Sequence, residues 1–196
     1  MMYIISMSLI LKNIILNGKK RDIRIAGCRF QKIAPKIETA AGDEVIDGSG
    51  KAVFPGFYNL HTHAAMSLLK GIGDDKELFS WLSQDIWPRE AKFDADIIYA
   101  GTKLAVLEMV KSGTVFFSDM YFEQAAIMKA VAECGIRAAV SIVGFDMFDP
   151  EQTKQKIAAT EAFLELFNPC PERISKTVSI HSVYTVSEEL IRYMAK

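Results

Sequence analysis

The sequence predicts an α/β protein in which a small β module precedes four strand–helix units. Residues 1–50 contain short strands separated by turn signals and show no helical periodicity. From residue 51 to residue 196, apolar strands alternate with helices, a pattern that indicates a parallel sheet. Four such units amount to half of a (β/α)8 barrel, which takes about 250 residues when complete, or to a small doubly wound domain.

The β module begins with a predicted strand over residues 8–16, and the dipeptide Asn17-Gly18 after it favours a hairpin. Further short strands are predicted within residues 22–25, 26–33 and 44–50. The apolar N-terminus has no basic region or cleavage site and is too short to span a bilayer, so we do not interpret it as a targeting segment. Met7 is an alternative start, which would make Met1–Ser6 an upstream extension.

The strand–helix units follow from hydrophobic period and from glycines that end helices. Strands are predicted over residues 53–63, 114–118, 136–143 and 177–181, and helices over residues 94–111, 124–134 and 150–167 and from 187 onward. Gly113 and Gly135 end the first two of these helices, and Asp149-Pro150 begins the third. Ser187 provides a cap for the last helix.

The composition is that of an ordinary globular protein. Of the 196 residues, 50% are hydrophobic and 24% are charged, and the formal net charge is −1, which argues against a nucleic-acid or membrane partner held by bulk charge. Cys28, Cys134 and Cys170 are odd in number and widely spaced, so no disulfide framework is expected and a reducing cytoplasm is favoured.

A His-x-His pair at the end of the first apolar strand is the main chemical signal. Side chains at i and i+2 of a strand point to the same side, so His61 and His63 are expected to converge on one point. Two neutral imidazoles at this spacing suit a divalent transition metal, most plausibly zinc. Taken alone, the pair could also be one core histidine and one exposed histidine.

The segment Val53–His63 resembles the Pro-Gly-Phe…Asn…His-x-His signature of the amidohydrolase superfamily. Residues 66–71, the pair Trp81-Leu82 and residues 86–90 are similar to the S-adenosylhomocysteine / 5′-methylthioadenosine deaminase group and its triazine hydrolase relatives. This resemblance favours the first half of a metal-dependent hydrolase TIM barrel over the doubly wound domain. It also implies that the N-terminal strands form half of a composite β-sandwich, and that the chain is the front of a longer enzyme or a truncated product.

The resemblance implies one divalent metal per subunit, zinc with Fe²⁺ as the alternative, bound by His61 and His63. The remaining ligands and the acid/base carboxylates are expected beyond Lys196, so no catalytic residue is assigned within the chain. Lys176 lies at the start of its strand, away from the position of the carboxylated lysine in two-metal relatives, which favours a one-metal site. We expect the isolated chain to bind metal poorly and to turn over little or no substrate.

Three further residues acquire substrate roles only through the resemblance. Glu90 would bind the ribose hydroxyls, although by position alone it is a solvated carboxylate near a helix start. Trp81 would pack against the purine or the thioether tail, although a lone tryptophan is more often part of a core. His181, in a segment similar to the family's His-x-x-Tyr-Thr motif, would contact the substrate, although it could be a core histidine. Asp119 is interpreted as a structural residue or as a support for the residues that bind the metal.

The resemblance implies hydrolytic deamination of an adenine nucleoside: 5′-methylthioadenosine, S-adenosylhomocysteine, adenosine or 5′-deoxyadenosine. Related deaminases often carry an arginine where this chain has Val143, so a substrate without the amino-acid carboxylate is favoured. The alternatives are a triazine chlorohydrolase or aminohydrolase, a guanine- or cytosine-type deaminase, and a truncated non-catalytic remnant. A small-molecule partner and a homo-oligomer at full length are expected.

Overall fold

Two separate four-stranded sheets organise the chain, one in each of two units that divide in sequence between Pro55 and Gly56. The computed structural model describes residues 8–196. The predicted extension Met1–Ser6 and the alternative start at Met7 lie outside the described residues.

The sheet of the first unit has the strand order β3-β2-β1-β4. Its strands are β1 (Ser8–Leu16), β2 (Lys19–Ala26), β3 (Arg29–Ala34) and β4 (Glu44–Asp47). β1, β2 and β3 are antiparallel neighbours, and β4 pairs parallel to β1. Asn17 and Gly18 both have positive φ, 49° and 72°, as a two-residue hairpin of the expected type requires. The hairpin prediction is therefore confirmed.

The second unit contains a parallel sheet whose strands lie in sequence order. They are β5 (Phe57–Thr62), β6 (Thr114–Met120), β7 (Arg137–Gly144) and β8 (Ile174–Ile180). After β5 come a 3₁₀-helix (Ala64–Leu69), α1 (Leu78–Trp81), a π-helical turn (Leu82–Ile86) and α2 (Trp87–Glu90). The helices α3 (Ala95–Lys111), α4 (Gln124–Cys134), α5 (Pro150–Glu165) and α6 (Glu188–Met194) complete the unit. The predicted α/β alternation and parallel sheet are confirmed.

Capping residues explain where three of the helices begin or end. Asp94 accepts a hydrogen bond of 2.9 Å from the backbone N–H of Ile97, which starts α3, and Ser187 caps α6 in the same way. Gly135 has φ 79° and ends α4 in the left-handed conformation that glycine adopts without strain.

The first strand of the parallel sheet is shorter than predicted, because it begins at Phe57 and not at Val53. The backbone N–H of Val53 donates to the carbonyl of Ile15 and so belongs to the first unit. At Gly56 the chain passes so close to β6 that a Cβ would lie 2.4 Å from Val115 Cγ1, which only glycine avoids. β8 is also displaced from its predicted span and ends at Ile180.

The core of the second unit lies between the sheet and the helices that cover it. Its fully buried side chains include Ile98 of α3, Phe117 of β6, Ile127 of α4 and Val140 of β7. The helices pack against the sheet through these side chains and so fix the positions of the carboxyl ends of the strands.

Among residues 8–196 no helix is long and apolar enough to cross a membrane. All three cysteines are free thiols. The cytoplasmic location that the cysteine usage favours stays a prediction.

Asp146 joins the loop after β7 to the N-terminus of α6. Its carboxylate is fully buried and accepts hydrogen bonds from Thr153 Oγ1 at 2.7 Å, from Ser187 Oγ at 2.6 Å, and from the backbone N–H groups of Ser187 and Phe148. Burial alone would raise the pKa of Asp146, but these hydrogen bonds outweigh burial and lower it from 3.8 to about 2. The fold therefore stabilises the charged form of Asp146.

Replacing Asp146 with Asn should lower the free energy of unfolding by about 2 kcal/mol, because an amide loses the charge and accepts fewer hydrogen bonds. Urea unfolding of the chain at neutral pH measures this change. Asp74 is an exposed carboxylate, and Asp74→Asn should change the free energy by less than about 0.5 kcal/mol.

The same variant should show a defined pH dependence. Because the pKa of Asp146 is lower in the folded chain than its ordinary value, its charge stabilises the fold above about pH 4, and this contribution is lost as the pH falls toward 2. The difference in unfolding free energy between the parent chain and Asp146→Asn should shrink over that range. A difference that stays constant down to pH 2 would contradict the assignment.

Candidate metal centre and substrate site

The carboxyl-terminal edge of the parallel sheet gathers most of the predicted site residues. β5, β6 and β8 end at Thr62, Met120 and Ile180. The side chains that follow them, His63 and His181 among them, therefore lie along one edge. Loops at this edge carry the active site in barrels built from parallel strands.

His61 and His63 are neighbours at the end of β5. Their ring centroids lie 5.2 Å apart with an interplanar angle of 76°. His61 is exposed, whereas His63 is partly buried. The spacing along the strand therefore brings the two imidazoles together, although their role as metal ligands stays a prediction.

The neighbouring strand determines which nitrogen of His63 is free. His63 Nδ1 lies 2.7 Å from the backbone carbonyl oxygen of Met120, the last residue of β6. A carbonyl oxygen only accepts hydrogen bonds, so Nδ1 carries the proton and Nε2 keeps its lone pair. This is the arrangement found in metal-binding histidines, where one nitrogen donates to the protein and the other binds the cation.

Asp119 fixes the backbone directly after His63. Its side chain is fully buried, and Oδ1 accepts a hydrogen bond of 2.8 Å from the N–H of Ala64. Within the described residues Oδ2 has no hydrogen-bond partner. Burial raises the pKa of Asp119 to about 7, and the bond from Ala64 opposes that shift. The contact agrees with the structural role expected for this residue.

Glu90 is connected to His63 through Tyr121, a residue whose role the sequence reasoning missed. The Tyr121 hydroxyl donates a hydrogen bond to Glu90 Oε1, and the Tyr121 ring centroid lies 6.0 Å from that of His63. Burial and the Glu90 carboxylate both raise the pKa of Tyr121 well above its ordinary value. A tyrosine two residues beyond a buried strand-end aspartate was the available signal.

Trp81 lies in α1, upstream of Glu90 in the same helical region. Its indole N–H donates a 2.7 Å hydrogen bond to the carbonyl of Ile72, and its ring lies so close to Gly73 that any Cβ there would clash. Because the N–H is already used, only the faces and edges of the ring are left to meet a substrate. The predicted purine or thioether contact stays a prediction.

His181 lies just past β8, at the other outer strand of the sheet. Its backbone N–H donates to the carbonyl of Gly144, and its Nδ1 lies 3.0 Å from the hydroxyl of Thr185. The Phe145 ring meets the imidazole edge to face, with centroids 5.5 Å apart. Three strand spacings of about 4.8 Å separate β5 from β8, so His181 is not a neighbour of the histidine pair in this sheet.

Lys176 is held at a distance from the site edge by the end of α5. Its ammonium group donates to the backbone carbonyls of Phe163, Leu164 and Leu166. The Phe163 carbonyl also accepts a hydrogen bond from the N–H of Leu166, and all three carbonyls lie in the last turn of α5 or just beyond it. The lysine therefore caps the helix and interacts favourably with its dipole. Lys176 therefore lies away from the candidate site, and the one-metal site stays a prediction.

The residues present fit part of a zinc site. His63 presents a bare Nε2 beside a second imidazole, which suits zinc or another borderline divalent metal. Residues 8–196 contain no cluster of three or more histidine, cysteine or carboxylate side chains able to surround a cation. His61 and His63 are therefore two candidate ligands, and their binding of a metal stays a prediction.

Comparison with known proteins identifies the family that the chain resembles. A model of the amidohydrolase family matches residues 52–196. A 5′-deoxyadenosine deaminase of Methanosphaera stadtmanae is 43% identical over 174 residues, which cover 88% of this chain and 41% of that protein. A 5-methylthioadenosine/S-adenosylhomocysteine deaminase of Archaeoglobus fulgidus is 45% identical over 176 residues, covering 89% of this chain and 40% of the relative. The chain thus spans less than half the length of these relatives.

Solved structures show the same fold at lower identity. An adenosine deaminase from Xanthomonas campestris with bound zinc superposes with a TM-score of 0.80 at 23% identity, covering 96% of this chain and 46% of the other. A triazine hydrolase from Arthrobacter aurescens superposes with a TM-score of 0.81 at 18% identity, covering 96% and 50%. At these identities the likeness is one of fold.

Zinc titration of this chain should shift the ring resonances of His61 and His63 together, with weak affinity because only two ligands are present. Replacing His63 with Gln should weaken that binding by at least about tenfold. Histidine-ring NMR follows each ring separately. His181→Gln is the matched control and should leave the affinity unchanged, whereas a zinc response centred on His181 would contradict the assignment.

Proposed function

Because the chain belongs to the amidohydrolase family, we propose that residues 51–196 are the first four βα units of a metal-dependent hydrolase (β/α)8 barrel. The strand order leaves β5 and β8 as the two outer strands. In a closed barrel each of them would pair with a further strand. Relatives more than twice as long as this chain have room for those strands.

We propose that residues 1–50 form half of a composite β-sandwich. The first unit exposes large apolar side chains, with Phe30 66% and Phe54 78% exposed. They border a hollow of about 480 Å³ lined almost wholly by apolar residues. A second sheet would remove this surface from water.

We propose hydrolytic deamination of an adenine nucleoside as the activity of the complete enzyme. The observation that supports it most is the pair His61 and His63, with Nε2 of His63 free and with Tyr121 linking His63 to the carboxylate of Glu90. The relatives at 40–45% identity carry the names 5′-deoxyadenosine deaminase and methylthioadenosine/S-adenosylhomocysteine deaminase.

In this proposal the residues of the chain bind and orient. His61 and His63 hold the divalent cation, zinc or alternatively Fe²⁺, which when bound makes water reactive near neutral pH. Glu90 accepts hydrogen bonds from the two ribose hydroxyls, since a carboxylate has acceptor sites for both. His181 contacts the substrate from the β8 side, and Trp81 packs against it. The acid/base carboxylate comes from residues outside this chain.

The proposed substrate lacks an amino-acid tail. Val143 is half-buried on β7. The family resemblance implies that this position corresponds to an arginine that meets the tail carboxylate in related deaminases. A carboxylate brought there would lose water without gaining a cation. 5′-Deoxyadenosine and 5′-methylthioadenosine are therefore preferred over S-adenosylhomocysteine.

The rival enzymatic functions keep the fold and act on a different substrate. The triazine hydrolase is 18% identical to this chain, and at that identity the likeness is one of fold. A carboxylate held in place beside the site suits a pair of ribose hydroxyls, a feature that triazines lack. This observation favours the nucleoside.

The non-catalytic alternative has its own support. Outer strands β5 and β8 and exposed apolar residues such as Leu60 and Val183 would make an isolated fragment associate or require a partner. Gel filtration tests this alternative, because a stable monomer would argue against a fragment that associates or requires a partner. Homo-oligomerisation of the complete enzyme stays a prediction.

The complete enzyme that carries this chain should release ammonia from 5′-deoxyadenosine with a kcat/KM at least about tenfold above that for S-adenosylhomocysteine. The missing cation at Val143 is the physical reason. The 196-residue chain alone is the control and should show no turnover. Equal or better use of S-adenosylhomocysteine would contradict the proposed substrate, and absence of ammonia from every adenine nucleoside would contradict the proposed function.

A further inference from the structure

The Tyr121 hydroxyl is committed to one partner. Tyr121 is 8% exposed, and its hydroxyl donates to Glu90 Oε1. A hydrogen bond from a buried hydroxyl to a charged carboxylate is stronger than one between neutral groups. The contact therefore restricts where the Glu90 carboxylate lies.

The Tyr121 ring is itself held on two sides. It stacks on Phe122 with centroids 4.3 Å apart and an interplanar angle of 24°, and it faces His63 at 6.0 Å. The backbone carbonyl of Tyr121 accepts a 2.7 Å hydrogen bond from Gln124 Nε2 at the start of α4. Because the ring is confined in this way, its hydroxyl group lies at a fixed position.

A fixed carboxylate recognises neighbouring hydroxyls better than a mobile one. Glu90 is partly buried at the end of α2, and a glutamate side chain loses considerable rotamer entropy when a ligand immobilises it. With Tyr121 bound to Oε1, the carboxylate is already ordered and keeps free acceptor sites for a ligand. Because the fold has already ordered the Glu90 side chain, the loss of its conformational entropy on substrate binding is smaller.

We propose that Tyr121 is a positioning residue that makes the recognition of ribose hydroxyls by Glu90 selective. This inference rests on the proposed nucleoside function and adds to it a residue that does not itself touch the substrate. Through its ring Tyr121 also packs beside His63, so the two predicted binding elements share one support.

The kinetic test uses the complete enzyme with Tyr121→Phe, Glu90→Ala and the double variant. Adenosine is compared with 2′,3′-dideoxyadenosine, which lacks both hydroxyls. Tyr121→Phe should lower kcat/KM for adenosine about tenfold, mainly through KM, and should change the dideoxy substrate less than twofold. The double variant should behave as Glu90→Ala does, because Tyr121 acts through that carboxylate.

Tyr99 supplies the matched control. Its hydroxyl also donates to a glutamate, Glu133, on the surface formed by α3 and α4. Tyr99→Phe removes the same atom from the same kind of pair and should leave both substrates unaffected.

A thermal test on the 196-residue chain checks the contact without any activity. Tyr121→Phe and Glu90→Ala should each lower Tm by about 2–4 °C, and the double variant should lose little more than one single variant does. Additive losses would overturn the inference.

The kinetic outcomes separate the two levels of the argument. If Glu90→Ala lowers kcat/KM equally for adenosine and for 2′,3′-dideoxyadenosine, the proposed role of Glu90 is wrong and the inference falls with it. If Glu90→Ala lowers kcat/KM for adenosine alone but Tyr121→Phe lowers it for both substrates equally or for neither, the role of Glu90 stands and the positioning role of Tyr121 is wrong.

Discussion

The hydrogen bond from His63 Nδ1 to the carbonyl of Met120 is the interaction on which the candidate site depends. It exists because β5 and β6 are parallel neighbours and end at the same edge, so the last carbonyl of one strand meets the side chain that follows the other. A backbone acceptor cannot change its role, and it therefore assigns the proton to Nδ1 whatever the surrounding side chains do. The same strand end supplies Asp119, which holds the backbone of Ala64, and Tyr121, which holds Glu90.

This arrangement explains why the sequence predicted part of the site and missed the rest. The i, i+2 spacing of His61 and His63 follows from strand geometry, so their proximity could be expected from a short motif alone. The support from Met120 and Tyr121 depends on which strand pairs with β5. That pairing joins residues far apart in the sequence, so no short sequence motif reveals it. His181 was correctly expected at the same edge, although β8 ends one residue before it.

The fold was predictable where local chemistry determines it. Helix boundaries at Asp94 and Gly135 agree with the structure because a side-chain cap and a left-handed glycine act within a few residues. The start of β5 was predicted four residues too early, since the apolar run at Val53 continues into a contact with β1 of the first unit. Hydrophobic periodicity cannot distinguish one continuous strand from two consecutive segments that belong to different sheets.

The tautomer of the His63 ring in the metal-free chain tests most directly whether Nε2 is free to bind a cation. Long-range ¹H–¹⁵N NMR of the ¹⁵N-histidine-labelled chain, with His63→Gln to identify the signal, distinguishes the two ring nitrogens. We expect the proton on Nδ1, with Nε2 unprotonated. A ring protonated at Nε2 would contradict this expectation, because the Met120 carbonyl would then have no donor and the metal position would be blocked.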